Sequence, residues 1–306
     1  MYRIAILALL CMHALFWTAS AAGAEPASHE YLGIEVNGNL ELATGKSLRA
    51  DGVVLIVHGS LAHYRVETIA ALQNNLKQRG VNSLAITLSL GLNRRQGMFD
   101  CKLEQDHRHG DAADEIVSWV EWLQAKGALR ISVLGHSRGA GQAALALVER
   151  ADAGVSGLIL AAPLLQSEAE IAARYQEENG QPLAPLLAKA KKLVEDGEGD
   201  ALLDVPGFLY CRPAKVTAAA FHDYYEPDPQ HNVLRLMEEV TTPVLLVLAG
   251  DDRIVPGLSA AVVDAQQRKR FGGRVSVETI DGADHFFRDL FGEDLADKVA
   301  AFVGRP

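Results

Sequence analysis

The chain has 306 residues, 49% hydrophobic and 22% charged, which allows a sizeable buried core and excludes disorder, collagen-like repeats and coiled coil as descriptions of the whole. A formal net charge of −10 opposes binding to a phosphate backbone, so no nucleic-acid partner is expected. Only one apolar run is long enough to concern a membrane, and it stands at the N-terminus.

In that run Arg3 precedes the apolar stretch Ile4 to Trp17, and small residues end at Ala22-Gly23-Ala24. This is the three-part layout of a secretory signal, predicted over residues 1–24 with cleavage before Glu25. An uncleaved anchor is the rival, but the stretch is short for a membrane span and is interrupted by His13. The chain is expected to be exported, periplasmic or secreted, with no span in the mature part 25–306. Cys11 would leave with the signal. Cys101 and Cys211 remain, and an even pair in an oxidising compartment predicts a disulfide, with two free thiols as the alternative.

The mature chain alternates apolar β-branched runs with amphipathic stretches, the pattern of an α/β fold with a mostly parallel sheet. A first pair of strands near 30–37 and 40–48 is expected to form an antiparallel edge around a turn at Asn37-Gly38-Asn39. Val53-Val54-Leu55-Ile56-Val57 reads as a strand covered on both faces. Further strands are predicted at 83–88, 131–135, 157–162, 244–249 and 275–280. Helices are predicted at 65–79, 112–126, 138–150, 257–271 and 287–303. Residues 164–241 break the alternation and are too long for a simple crossover. They carry helical patterns near 167–178 and 183–195, then an aromatic-rich segment. They are expected to form a helical insertion over the C-terminal edge of the sheet, where open α/β sheets bind ligands.

Gly135-His136-Ser137-Arg138-Gly139 fits G-x-S-x-G between a predicted strand and helix. Flanking glycines let strand and helix approach closely, so Ser137 is the candidate nucleophile. A serine needs a base and a group to orient that base. His285, in the loop after the last strand, is the candidate base. The acid is expected in Ala249-Gly250-Asp251-Asp252, which follows another strand. Asp252 is preferred to Asp251 because it stands four residues before Pro256, and Asp284 is read as structural. Backbone N–H groups of Ser60 and Arg138 are the candidate oxyanion donors, with Leu61 as the alternative to Ser60.

These elements together resemble the α/β-hydrolase superfamily over residues 30–303: His58-Gly59 after a strand, the Ser137 turn, and the Asp252 and His285 loops in the order Ser, Asp, His. The resemblance implies an eight-stranded sheet and a serine hydrolase mechanism, most often on esters, needing neither metal nor organic cofactor. Ser60 departs from the apolar or glycine residues common after His-Gly and makes the mouth more polar.

The expected function is an exported esterase acting on a small-molecule ester. An acyltransferase, a peptidase or amidase, and a non-catalytic binding protein are the alternatives. His107 and His109 could pass for metal ligands but read better as a polar loop entering a helix. Arg94 and Arg95 are read as solvated, with a carboxylate clamp as the alternative. Tyr210, Phe221, Tyr224 and Tyr225 either line a pocket or pack the insertion. His222 and His231 are expected at the surface.

Overall fold

The computed structural model describes residues 24–165, 167–228 and 231–304. The expected signal peptide, apart from Ala24, lies outside the described residues. In chain order the elements are β1 (Ala24–Tyr31), β2 (Ile34–Glu41), α1 (Leu48–Asp51), β3 (Val53–Val57), α2 (Glu67–Gln78), β4 (Ser83–Thr87), α3 (His109–Ala125), β5 (Ile131–His136), α4 (Arg138–Glu149) and β6 (Gly157–Ala161). Next come α5 (Glu168–Asn179), α6 (Leu183–Glu195), β7 (Leu202–Val205), β8 (Ala214–Thr217), α7 (Ala218–Tyr225) and α8 (Val233–Glu239). The chain closes with β9 (Val244–Ala249), α9 (Leu258–Gln267), β10 (Val275–Ile280) and α10 (Leu290–Val303).

The main sheet has eight strands in the order β1-β2-β4-β3-β5-β6-β9-β10. β2 pairs antiparallel with β1 and with β4, and the remaining pairs are parallel. Successive side chains of β3 serve opposite faces. Val53, Leu55 and Val57 join the core built by α3, α4, α8 and α9, whereas Val54 and Ile56 join the one under α2 and α10. Ile69, Leu72 and Leu76 put the buried face of α2 against the second core at helical spacing. Each such side chain contributes about 1.5–3 kcal/mol by leaving water.

The edge hairpin corrects the expected turn. β1 and β2 turn at Leu32 and Gly33, both at positive φ, rather than at Asn37-Gly38-Asn39. Gly38 sits inside β2 because that strand passes close to β4: a Cβ there would lie 2.8 Å from the carbonyl oxygen of Ala85. The asparagines look outward from the strand to other elements. Asn37 donates to the Arg95 carbonyl and Asn39 to Gln73.

The stretch between β6 and β9 carries α5 to α8 and a separate two-stranded antiparallel sheet, β7 with β8, which the sequence pattern did not announce. Its apolar side chains form their own cluster around Tyr175, Phe208, Cys211, Phe221 and Tyr224, joined by Leu61 and Phe99. Val233, Leu234, Leu236 and Met237 of α8 pack instead into the core on the α4 side. Cys101 and Cys211 are disulfide-bonded with Cα atoms 5.2 Å apart, tying the loop after β4 to this stretch. Among the described residues no helix is long and apolar enough to cross a membrane.

Candidate active site

β5 ends at His136, and α4 starts at Arg138, so Ser137 alone makes the turn between them. Its φ of 57° and ψ of −123° are strained for a residue with a side chain. Two glycines make the turn possible. A Cβ at Gly135 would overlap the Gly139 carbonyl and the Ala140 Cα, and one at Gly139 would overlap the His58 carbonyl. The turn leaves Ser137 at the N-terminus of α4, where the helix dipole favours negative charge.

The structure brings Ser137, His285 and Asp252 together. His285 Nε2 lies 2.9 Å from Ser137 Oγ, and its Nδ1 lies 2.7 Å from Asp252 Oδ2. A carboxylate cannot donate, so Nδ1–H donates to Asp252, leaving Nε2 free to accept from the serine hydroxyl. Asp252 Oδ1 accepts from the main-chain N–H of Ile254 and Val255 at 2.8 and 2.9 Å. Burial pushes the Asp252 carboxyl up, but the bonds to His285 and these two amides outweigh it and hold it below the usual range. Asp251 is exposed, and its N–H donates to the Ala283 carbonyl. Asp284 caps its own loop by accepting from Phe286 N–H. Ser137 is 4% exposed and His285 2%, so the group is shielded from solvent.

The loop 58–62 lies against this turn, with Gly59 beside the Ser137 side chain. The two residues predicted as oxyanion donors are in contact, because Arg138 Nε donates to Ser60 Oγ at 2.8 Å. Leu61 holds a positive φ of 56°. A small cavity of about 50 Å³ adjoins this loop, walled by Ser60 and Arg138 on one side and by the stretch after β6 on the other.

The sequence matches the model of the alpha/beta hydrolase family over residues 54–302. The chain belongs to that family. No protein of curated function matches it. Among solved structures it is similar to Est1E of Butyrivibrio proteoclasticus, at 21% identity and a TM-score of 0.61, over 90% of this chain and 96% of the other. It is also similar to an esterase of Pyrococcus furiosus, at 16% identity and a TM-score of 0.59, over 92% and 90% of the two chains. A monoacylglycerol lipase of Paleococcus ferrophilus matches at 17% identity and a TM-score of 0.57, over 92% and 98%. At these identities the likeness is one of fold.

Several residues that support this α/β-hydrolase site were not legible as such. Arg95 is buried rather than solvated. Its guanidinium donates to the carbonyls of Leu88 (2.7 Å), Ala62 (2.6 Å) and Gly97 (2.6 Å), with Leu61 at 3.4 Å. Arg94 does stand at the surface, paired with Glu35. Burial drives the Arg95 guanidinium down to about 10, while Glu115 pulls the other way. Glu115 is itself buried and accepts from Ser89 N–H and Oγ–H, the latter at 2.6 Å. Burial raises its carboxyl to about 7 against those bonds. His136 Nε2 donates to the His285 carbonyl at 2.8 Å and fixes the backbone of that loop. His107 and His109 are buried around Tyr224, with His107 Nδ1 3.0 Å from the tyrosine hydroxyl. His231 is buried against His109, not at the surface, and His222 is partly buried beside Glu226. No group of three or more potential metal ligands is gathered among the described residues.

Proposed function

We propose that the protein is an exported serine hydrolase that cleaves a carboxylic ester through an acyl-enzyme. The observation that carries this reading is the continuous hydrogen-bonded series Ser137, His285, Asp252 at 2.9 and 2.7 Å, built on a strained strand-to-helix turn. Ser137 Oγ attacks the carbonyl carbon as His285 Nε2 takes its proton. Asp252 keeps the imidazole in the required tautomer and stabilises its charged form. The backbone N–H groups of Arg138 and Ser60 hold the tetrahedral oxyanion at the dipole end of α4. His285 then returns the proton to the leaving alcohol and activates water to release the acyl group. The stretch 164–241 acts as the cap that shapes the substrate cavity.

Esterases and a lipase among chains of the same fold are in keeping with an ester substrate. The disulfide between Cys101 and Cys211 supports an oxidising compartment. A serine-directed fluorophosphonate should label the protein stoichiometrically, and Ser137→Ala should abolish both labelling and hydrolysis of short p-nitrophenyl esters. Stoichiometric labelling of the alanine variant would refute the assignment. Product analysis with a competing alcohol separates hydrolysis from acyl transfer.

A further inference from the structure

The cavity walled by Ser60 and Arg138, the residue that follows Ser137, is small, and its charge is unusual for a chain of net charge −10. Two arginines, Arg138 of α4 and Arg174 of α5, stand in its walls. The one acidic residue there, Glu178, is already engaged by Arg212.

Arg138 is the more telling of the two. Its Nε donates to Ser60 Oγ, and its guanidinium carbon lies 5.2 Å from the centre of the Tyr224 ring. Its Nη1 is buried with no hydrogen-bond partner, and no carboxylate pairs with it among the described residues. Burial, with the positive charge of Arg174 nearby, works against its protonated form, while the surrounding tyrosines favour that form. The residue as a whole is half-buried, and a cation that loses much of its water normally has a counter-charge, because doing so without one is costly. Arg174 offers none, and its own contact in the structure is a long one, 3.4 Å to the Ile254 carbonyl. Two of the neighbouring tyrosine hydroxyls are committed elsewhere, Tyr224 to His107 and Tyr225 to Leu209 N–H.

We propose that Arg138 and Arg174 form a carboxylate subsite in this cavity, so that the ester cleaved at Ser137 carries a second, free carboxylate a few atoms from its scissile carbonyl. The inference rests on the serine hydrolase reading for the reacting end of the substrate. A guanidinium presents parallel N–H groups that match a planar carboxylate. At about 50 Å³ the cavity holds only a few water-sized groups, and Arg138 in its wall directly follows Ser137, so the linker between ester and carboxylate is short. The carboxylate supplies the charge and acceptor that Nη1 lacks.

The experiment compares charged and neutral esters of equal size. Monoethyl glutarate is set against ethyl glutaramate, and 3-acetoxypropanoate against 3-acetoxypropanamide, which place the carboxylate on the acyl and alcohol sides respectively. The charged member of at least one pair should have the higher kcat/KM by about a hundredfold, a size in keeping with a buried charge pair. Arg174→Gln should lower that ratio at least tenfold. Arg138→Gln should bring it near one; its absolute rate is not the readout, because the backbone of Arg138 is placed in the oxyanion hole. Glutarate should also raise the melting temperature of Ser137→Ala protein where glutaramide does not. Ester turnover without charge preference, together with no glutarate effect on Ser137→Ala, overturns the subsite and leaves the hydrolase reading intact. Absence of any labelling or turnover overturns the hydrolase reading instead, and glutarate stabilisation of Ser137→Ala lost on adding Arg138→Gln still supports the anion subsite.

Discussion

The main-chain N–H of Leu88 donates to Nε2 of His58 at 3.0 Å, so the loop after β3 is fastened to the loop after β4 through a neutral imidazole. His58 Nδ1–H then donates to the Gly59 carbonyl at 2.7 Å. Burial and the charge of Arg95 drive His58 down to about 3, which keeps it neutral, and the Leu88 N–H at Nε2 leaves the ring proton on Nδ1. Arg95 adds bonds to the Leu61 and Ala62 carbonyls. The peptide groups that would face an oxyanion in the proposed mechanism are therefore held by His58 and Arg95.

Arg95→Met should release the loop 58–62 while leaving Ser137, His285 and Asp252 in contact. One oxyanion donor is worth about 10²–10³ in kcat. Loosening rather than deleting the donors is expected to lower kcat by roughly tenfold to a hundredfold, with KM for a neutral ester little changed. Fluorophosphonate labelling should remain complete but slower. An equal rise in KM with unchanged kcat would show that Arg95 serves binding alone.

The two adjacent aspartates should separate cleanly. Asp252→Asn keeps the shape but favours the wrong imidazole tautomer, a change that costs about 10⁴ in kcat in a well-studied serine protease. Asp251 contributes only a backbone bond to the loop and an exposed side chain, so Asp251→Asn should stay within a few-fold of the parent. Steady-state kinetics on both variants with one ester decides it, and comparable losses in the two would remove Asp252 from its assigned role.

The α/β alternation and most strand and helix positions were legible because each element carries its own period. The continuous run at 53–57 became a central strand and the spacing of Ile69, Leu72 and Leu76 became the buried face of α2. The Ser137 turn was legible because its glycines answer a steric demand local in sequence. The edge hairpin was misplaced because Asn-Gly is also what a strand uses when another backbone passes close by, and only the neighbour β4 distinguishes the two. Arg95, Glu115 and His231 carried no signal of burial, since their partners come from distant loops or helices. A pair of charged residues after a strand reads as surface until the carbonyls that surround one of them are known.

The buried histidines set the direction of the pH response. Burial lowers His58 and His107 to about 3 and His136 to about 4, and holds His109 well below its usual value. Below pH about 6.5 the unfolded chain takes up protons that the folded chain refuses, so stability present above that pH is lost as the pH falls towards these values. Glu115 acts in the opposite sense. Its carboxyl, raised to about 7, stabilises the fold below about pH 4.5, and that contribution is lost as the pH rises through 7. Each proton refused is worth about 1.4 kcal/mol per pH unit. Urea unfolding should therefore show stability declining from pH 6.5 to 5, and Glu115→Gln should make the decline steeper by removing the opposing proton. A shallower decline in that variant would reverse the assignment.

The disulfide gives the remaining prediction. Cys211 is fully buried in the cluster of the stretch after β6, and its backbone exchanges both bonds with Phe208, at 3.0 Å each. Cys101 is exposed and stands two residues after Phe99, whose N–H donates to the Leu61 carbonyl in the loop beside Ser137. The bond thus joins the aromatic wall of the cavity to the loop that faces the nucleophile, across 110 positions of sequence. For a loop of that length the chain-entropy model gives about 4.7 kcal/mol, an upper value where the unfolded chain keeps some structure. Replacing both cysteines by serine should lower the melting temperature by roughly 5–15 °C. Because Cys211 also fills an apolar site, reduction of the parent protein isolates the covalent effect and should give a smaller fall in the same direction. Ser137, His285 and Asp252 lie outside the stretch between β6 and β9, so fluorophosphonate labelling should survive reduction while ester selectivity relaxes. Two freely titratable thiols in the native protein, or a melting temperature unmoved by reduction, would rule out this tether.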